Sequence, residues 1–168
     1  GLFTYAPGMT VLMTVFLASL AGIPPFGGWY AKFGAFRAVI DAANERKKPV
    51  VVDPKGRDYS IYRGATLITP NRQELADATH NTARTDEEVA DAAAKLCDAV
   101  AAKAVLVTRS EAGMTLVSGG AAIHIPAYPV RVRDVSGAGY TVVAVLSAML
   151  AMGADFESSM RAANAAGA

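Results

Sequence analysis

The sequence predicts an α/β fold: a parallel sheet with flanking helices and a β-hairpin, preceded by a hydrophobic helical segment broken by prolines. Three observations carry this reading. From residue 49, short β-branched runs alternate with amphipathic stretches, the pattern of strands buried on both faces between helices. A Gly119-Gly120 pair separates two five-residue runs, a strong hairpin signal. Charge is nearly absent from the first 43 residues, which hold only Lys32, Arg37 and Asp41 of the 16 basic and 15 acidic side chains. The chain has 168 residues, is 52% hydrophobic and carries a formal net charge of +1. Such a balance argues against a partner held by phosphate contacts along nucleic acid. A single cysteine, Cys97, excludes an intramolecular disulfide framework and a Cys-rich zinc site.

Residues 9–23 (MTVLMTVFLASLAGI) form an apolar run too short alone for a bilayer span of about 20 residues. Pro24-Pro25 and Gly27-Gly28 are expected to break any continuation. A signal peptide is disfavoured by the missing basic n-region and cleavage site. Lys32 then stands alone in apolar surroundings, where a cation is costly and commonly functional. Residues 19–33 (SLAGIPPFGGWYAKF), continued by Arg37 to Asp41, resemble a piece of subunit N of bacterial NADH-quinone oxidoreductases. The resemblance implies a discontinuous membrane helix with Lys32 in a proton path. Residues 1–43 are therefore expected to be a membrane-subunit-like segment, associated with a membrane or else folded back over the sheet. Residues 44–48, where charge density jumps, are the expected junction to a domain at 49–168.

The remaining elements follow in order. Residues 49–53 (PVVVD) and 65–69 (ATLIT) read as buried strands. Residues 72–79 read as a short helix with Leu75 inward. Thr85 and Glu88 form a capping-box pattern opening a helix to about residue 102, with Val89, Ala93, Leu96, Cys97 and Val100 on one face. Residues 104–108 (AVLVT) are the next strand, and 114–118 with 121–125 the hairpin. Residues 140–152 form an apolar helix stopped by Gly153, and Asp155 caps a last helix. Tyr59 and Tyr62, flanked by Arg57 and Arg63, read as a surface loop. His80 and His124 fall in different elements and suggest no dyad.

Chemistry concentrates at three places. Ser136-Gly137-Ala138-Gly139, just before a helix, lets successive backbone N–H groups converge at the positive end of the helix dipole, an arrangement suited to an anion. Asn71-Arg72-Gln73-Glu74 opens a helix after a strand. A carboxylate and an amide there suit a hydrated Mg²⁺ beside nucleotide phosphates; an ordinary helix cap would look the same. Residues 108–113 (TRSEAG) mark another strand end.

Taken together, DPKGRD (53–58), YRGATLITPN (62–71), Glu74, TRSEAGM (108–114) and DVSGAG (134–139) resemble the ribokinase-like, or phosphofructokinase B, sugar kinases. The likeness is greatest to the branch with the heptose kinase domains of ADP-heptose synthesis, and covers about residues 46–168. It implies a partial ribokinase-like, Rossmann-like domain that uses ATP and Mg²⁺ to phosphorylate the anomeric hydroxyl of D-glycero-D-manno-heptose 7-phosphate, in lipopolysaccharide core synthesis. By the same resemblance Asn71, Arg72, Gln73 and Glu74 border nucleotide and metal, with Asn71 reaching the metal through water. Thr108, Arg109, Glu111 and Gly113 approach the phosphates, Ser136 to Gly139 form the anion hole, and Lys55 neutralises phosphate on the substrate side. It further implies a cytoplasmic enzyme, often dimeric, with no nucleic-acid partner.

Two departures bear on activity. The family's catalytic aspartate position is Tyr140, and a phenol keeps its proton at neutral pH where a carboxylate has lost it. The matching part is also about half a family kinase and lacks the half with most sugar contacts. The expectations are thus an impaired kinase, a nucleotide-binding module without turnover, or a membrane fragment. Because the two resembled families share no pathway, the junction reads as a fusion or truncation.

Overall fold

A computed structural model describes residues 6–21, 27–128 and 138–167. The chain divides into two compact units, residues 1–39 and 40–168. The first contains α1 (Pro7–Ala21), apolar along its 15 residues, and most of α2 (Gly27–Glu45). Among the described residues no helix is long and apolar enough to cross a membrane. Gly27 and Gly28 lie in the first turn of α2 and do not interrupt it. The stretch 22–26, with Pro24-Pro25, lies outside the described residues.

The division at Val39/Ile40 falls inside α2, ahead of the junction expected at 44–48. Ile40 is buried, and Asn44 Nδ2 donates to Gly64 O at 3.0 Å. The last turns of α2 therefore belong to the α/β unit. The jump in charge at 45–48 marks the solvated end of a helix.

The second unit is a five-stranded sheet in the order β1-β2-β3-β4-β5. β1 (Val51–Val52), β2 (Leu67–Ile68) and β3 (Ala104–Thr108) run parallel. β4 (Met114–Ser118) and β5 (Ala121–Ile125) continue antiparallel from β3. The expected hairpin is present, and Gly119 and Gly120 take φ of 57° and 80°, as a two-residue turn of the favoured hand requires. α3 (Arg72–Thr79), α4 (Asp86–Val100), α5 (Ala138–Ala151) and α6 (Phe156–Ala166) complete the unit.

Strand alternation sends side chains to two separate cores. Ile68, Val105 and Val107 pack with Leu75 of α3 and with Val89, Leu96 and Val100 of α4 on one face. Leu67, Ala104 and Leu106 pack with Val142 and Leu146 of α5 and with Met160 and Ala163 of α6 on the other. Each fully buried aliphatic side chain contributes about 1.5–3 kcal/mol, so both faces are covered within this unit. Cys97 is half-buried against the first core, its thiol donating to Ala102 O; burial raises its pKa.

Two expectations change here. Tyr59 and Tyr62 are not a surface loop. They sit in a 3₁₀ turn, Tyr59–Tyr62, buried in the first core with their rings edge-to-face at 5.9 Å. The flanking arginines suggested exposure, but a 3₁₀ turn places residues three apart on one side, and here that side faces inward. Thr85 caps α4 as expected, accepting from Glu88 N at 3.2 Å. Glu88, however, returns to Arg84 N at 2.8 Å, one residue beyond the usual partner.

Candidate functional site

Parallel strands end on the same sheet edge, and in open α/β sheets ligands gather outside that carboxyl edge. Asp53 follows β1, Thr69 follows β2, and Thr108 ends β3. These residues, with Lys55, Asn71, Glu74 and the start of α5 at Gly139 and Tyr140, line one open cleft of about 170 Å³. Asn71 bridges to Thr108 in parallel, with Thr108 N donating to Pro70 O at 3.0 Å. The ends of β2 and β3 are thus held together beneath the cleft.

Asn71 and Glu74 form a complete capping box. Asn71 Oδ1 accepts from Glu74 N at 2.8 Å, and Glu74 Oε2 accepts from Asn71 N at 2.8 Å. Glu74 Oε1 faces Lys55, whose Nζ lies 3.3 Å from it and 3.2 Å from Asp53 Oδ2. Burial pulls the Lys55 pKa down, but the hydrogen bond and charge of Asp53, with Glu74 behind, leave it raised overall. The backbone of Lys55 is pinned by Tyr62, whose hydroxyl accepts from Lys55 N at 3.2 Å and lies 3.3 Å from Lys55 O.

Asp53 and Tyr62 were not singled out as site residues from the sequence. The signal for Asp53 was its place directly after a buried strand, first in the DPKGRD motif. No sequence pattern marks the Tyr62 contact, because it depends on how the turn folds back.

The other predicted residues distribute unevenly. Arg72, Gln73, Arg109 and Glu111 line a second, larger cleft of about 560 Å³ that shares Asn71 and Thr108 with the first. Arg72 Nη2 donates to Arg109 O at 3.3 Å, and Gln73 Nε2 to Asp77 Oδ1 at 2.9 Å. Arg109 itself is only 6% exposed. Its guanidinium pairs with Asp86 and donates to Ala112 O at 2.9 Å, clamping the start of α4 to the β3–β4 connection. Gly113 ends that connection with φ 85° and ψ −134°. Ser136 and Gly137 lie outside the described residues; α5 begins at Ala138, two residues before the start expected at 140, so Ala138 and Gly139 belong to its first turn and not to a loop ahead of it. Gly139 and Tyr140 line the first cleft, and Tyr140 is 76% exposed. The side chain of Lys32 is likewise outside what is described. His124 Nδ1 meets Thr115 Oγ1 at 2.8 Å.

The hydrogen bond from Arg109 chiefly holds the Asp86 carboxyl below its ordinary pKa, with burial opposing and the guanidinium charge assisting. A carboxylate depressed in the folded state stabilises above its unfolded pKa, and the benefit fades as pH falls through the folded value. The stability difference between this chain and Asp86→Asn should therefore be full at neutral pH and shrink below about pH 4. Denaturant melts across that range check this; a difference that persists at pH 2 would contradict it.

The oxygen donors Glu74 Oε1 and the Asp53 carboxylate suit a hard divalent cation. No group of three or more His, Cys, Asp or Glu among the described residues forms a ready cage. That donor set fits a largely hydrated Mg²⁺ shared with ligand phosphates.

Residues 32–168 match the pfkB family of carbohydrate kinases. The chain is 56% identical over 133 residues to the bifunctional protein HldE of Rhodopseudomonas palustris (strain BisB18), covering 79% of this chain and 27% of that protein. It is 54% identical over 131 residues to HldE of Bradyrhizobium diazoefficiens, covering 77% and 26%. The chain thus spans about a quarter of these relatives. Among solved structures, Arabidopsis thaliana ribokinase complexed with ribose and ATP superposes with a TM-score of 0.72 at 28% identity, covering 80% of this chain and 45% of that one. Escherichia coli phosphofructokinase-2 with substrates and products gives 0.70 at 26% identity, with the same coverage. The family match begins at residue 32, so Lys32, Arg37 and Asp41 fall inside it. The likeness of residues 1–43 to an oxidoreductase subunit finds no support in these relatives.

Proposed function

Because this chain belongs to the pfkB family of carbohydrate kinases, we propose that residues 49–168 form the nucleotide side of an ATP- and Mg²⁺-dependent sugar kinase. The acceptor is the anomeric hydroxyl of D-glycero-D-manno-heptose 7-phosphate. One observation carries the reading: the carboxyl ends of all three parallel strands and the start of α5 meet at a single cleft. Phosphates seated there face Lys55 and the positive end of α5, and the nucleoside extends past Asn71 and Thr108 toward the second cleft. Glu74 and Asp53 would hold Mg²⁺ on this edge of the cleft, where the ion would supply positive charge against the phosphates. The high identity to HldE and the DPKGRD motif support a heptose phosphate as substrate.

The roles follow from position. Asn71 fixes Glu74 through the capping box, Thr108 supplies a hydroxyl beside it, and Ala138 and Gly139, in the first turn of α5, offer backbone donors to the transferred phosphoryl group. Arg109, buried against Asp86, holds the loop at the edge of the second cleft. Tyr140 stands where the resembled kinases have an aspartate, so that position holds a phenol and no carboxylate. That substitution favours a second reading, nucleotide binding without turnover.

Calorimetric titration with ATP tests the proposal. ATP should bind in the presence of Mg²⁺, and Glu74→Gln should remove the Mg²⁺ dependence while leaving some affinity for the nucleotide. Absence of ATP and ADP binding at millimolar nucleotide would defeat both readings.

A further inference from the structure

The charges in the first cleft sit in an order that the kinase reading does not by itself require. Glu74 has one oxygen committed to the Asn71 amide, which leaves Oε1 to face the cleft. Oε1 already accepts from Lys55 Nζ at 3.3 Å, and the same nitrogen lies 3.2 Å from Asp53 Oδ2. Lys55 therefore occupies the space between the two carboxylates that a divalent cation would use. Its root is fixed on both sides by the Tyr62 hydroxyl. Its side chain is nevertheless 68% exposed, on a flexible four-carbon stem that can swing without disturbing the backbone.

We propose that Lys55 is a resident counter-ion, neutralising Asp53 and Glu74 until a divalent cation displaces its ammonium, which then turns to a phosphate oxygen. The proposal rests on the nucleotide reading for its second half only; the competition at Glu74 and Asp53 stands without nucleotide. Two carboxylates without a cation between them would repel each other across the cleft, and Lys55 removes that cost in the empty site. The arrangement makes the cation and the ammonium alternative occupants, so arrival of the metal frees a positive charge where phosphate needs it.

Mn²⁺ binding to the full chain without nucleotide, followed by electron paramagnetic resonance, tests the competition directly. Lys55→Met should bind Mn²⁺ about tenfold more tightly than the parent. Lys55→Arg, which keeps a cation, should stay within about twofold. Adding Glu74→Gln to Lys55→Met should erase the gain. Equal or weaker Mn²⁺ binding by Lys55→Met, or no binding by any variant, overturns the counter-ion role. ATP titration of the same parent sample separates the two ideas: retained ATP binding keeps the nucleotide reading whatever Mn²⁺ does, and lost ATP binding removes that reading alone.

Discussion

Tyr140→Asp is expected to raise heptose 7-phosphate-dependent ADP formation by on the order of 10²- to 10⁴-fold, the usual worth of a general base. The argument is one of placement. Tyr140 lies in the first turn of α5, lines the cleft with Asp53, Lys55 and Glu74, and is largely exposed. Replacing an exposed ring removes little packing, and an aspartate in the first turn is favoured by the helix dipole by about 0.3–1 kcal/mol. A carboxylate there is ionised at neutral pH and can accept the proton of an attacking hydroxyl. Tyr140→Asn, which matches the shape and lacks the basicity, is the control and should show no gain. A coupled assay for ADP reads the result. Equal rates for Asp and Asn would mean that the missing base is not what limits this chain.

Gly113→Ala should be the most destabilising single-methyl change in the β3–β4 connection. A Cβ built on Gly113 would lie 2.0 Å from Ile125 O and 2.5 Å from Ala127 N, both backbone atoms that cannot rotate away. The residue also sits at φ 85° and ψ −134°, a region essentially closed to side chains. Strain of about 1–3 kcal/mol from the backbone adds to about 1–3 kcal/mol from overpacking. A loss of about 3 kcal/mol would lower Tm by roughly 6–12 °C in a chain of this size. Gly119→Ala is the comparison. It shares a positive φ but has open space around its Cβ, so it should pay the backbone strain without the clash. Equal melting temperatures for the two variants would refute the close-approach argument.

Much of this fold was legible because its signals are local. PVVVD, ATLIT and AVLVT are unbroken apolar runs, and a strand buried on both faces needs no partner's identity to be recognised. Gly119-Gly120 encodes its own turn, and Thr85 and Asp155 announce the helices they cap. Asn71 and Glu74, three residues apart, were visible both as a cap and as candidate site residues; they form the cap and line the first cleft. What escaped depends on contacts distant in sequence. The Lys55–Glu74 pair spans 19 residues and Arg109–Asp86 spans 23, so neither is written in any window. Only the family resemblance places Arg109 near phosphate; in the structure its guanidinium pairs with Asp86, at the head of the helix that precedes β3. Charge density follows solvent exposure, and the solvated end of α2 lies beyond its buried Ile40, so the jump in charge at 44–48 and the division into compact units at 39/40 mark different things.

The capping box at the head of α3 also sets how readily the site can be lost. Its two bonds join residues 71 and 74, so the carboxylate is aimed by a single turn of helix whose first residue is bridged to Thr108 of β3. Helix ends open at far lower free energy than global unfolding. Opening of that turn would release Glu74 from its orientation while both cores stay packed. The orientation of Glu74 is therefore expected to respond to local opening of that turn, and not only to unfolding of the sheet beneath it.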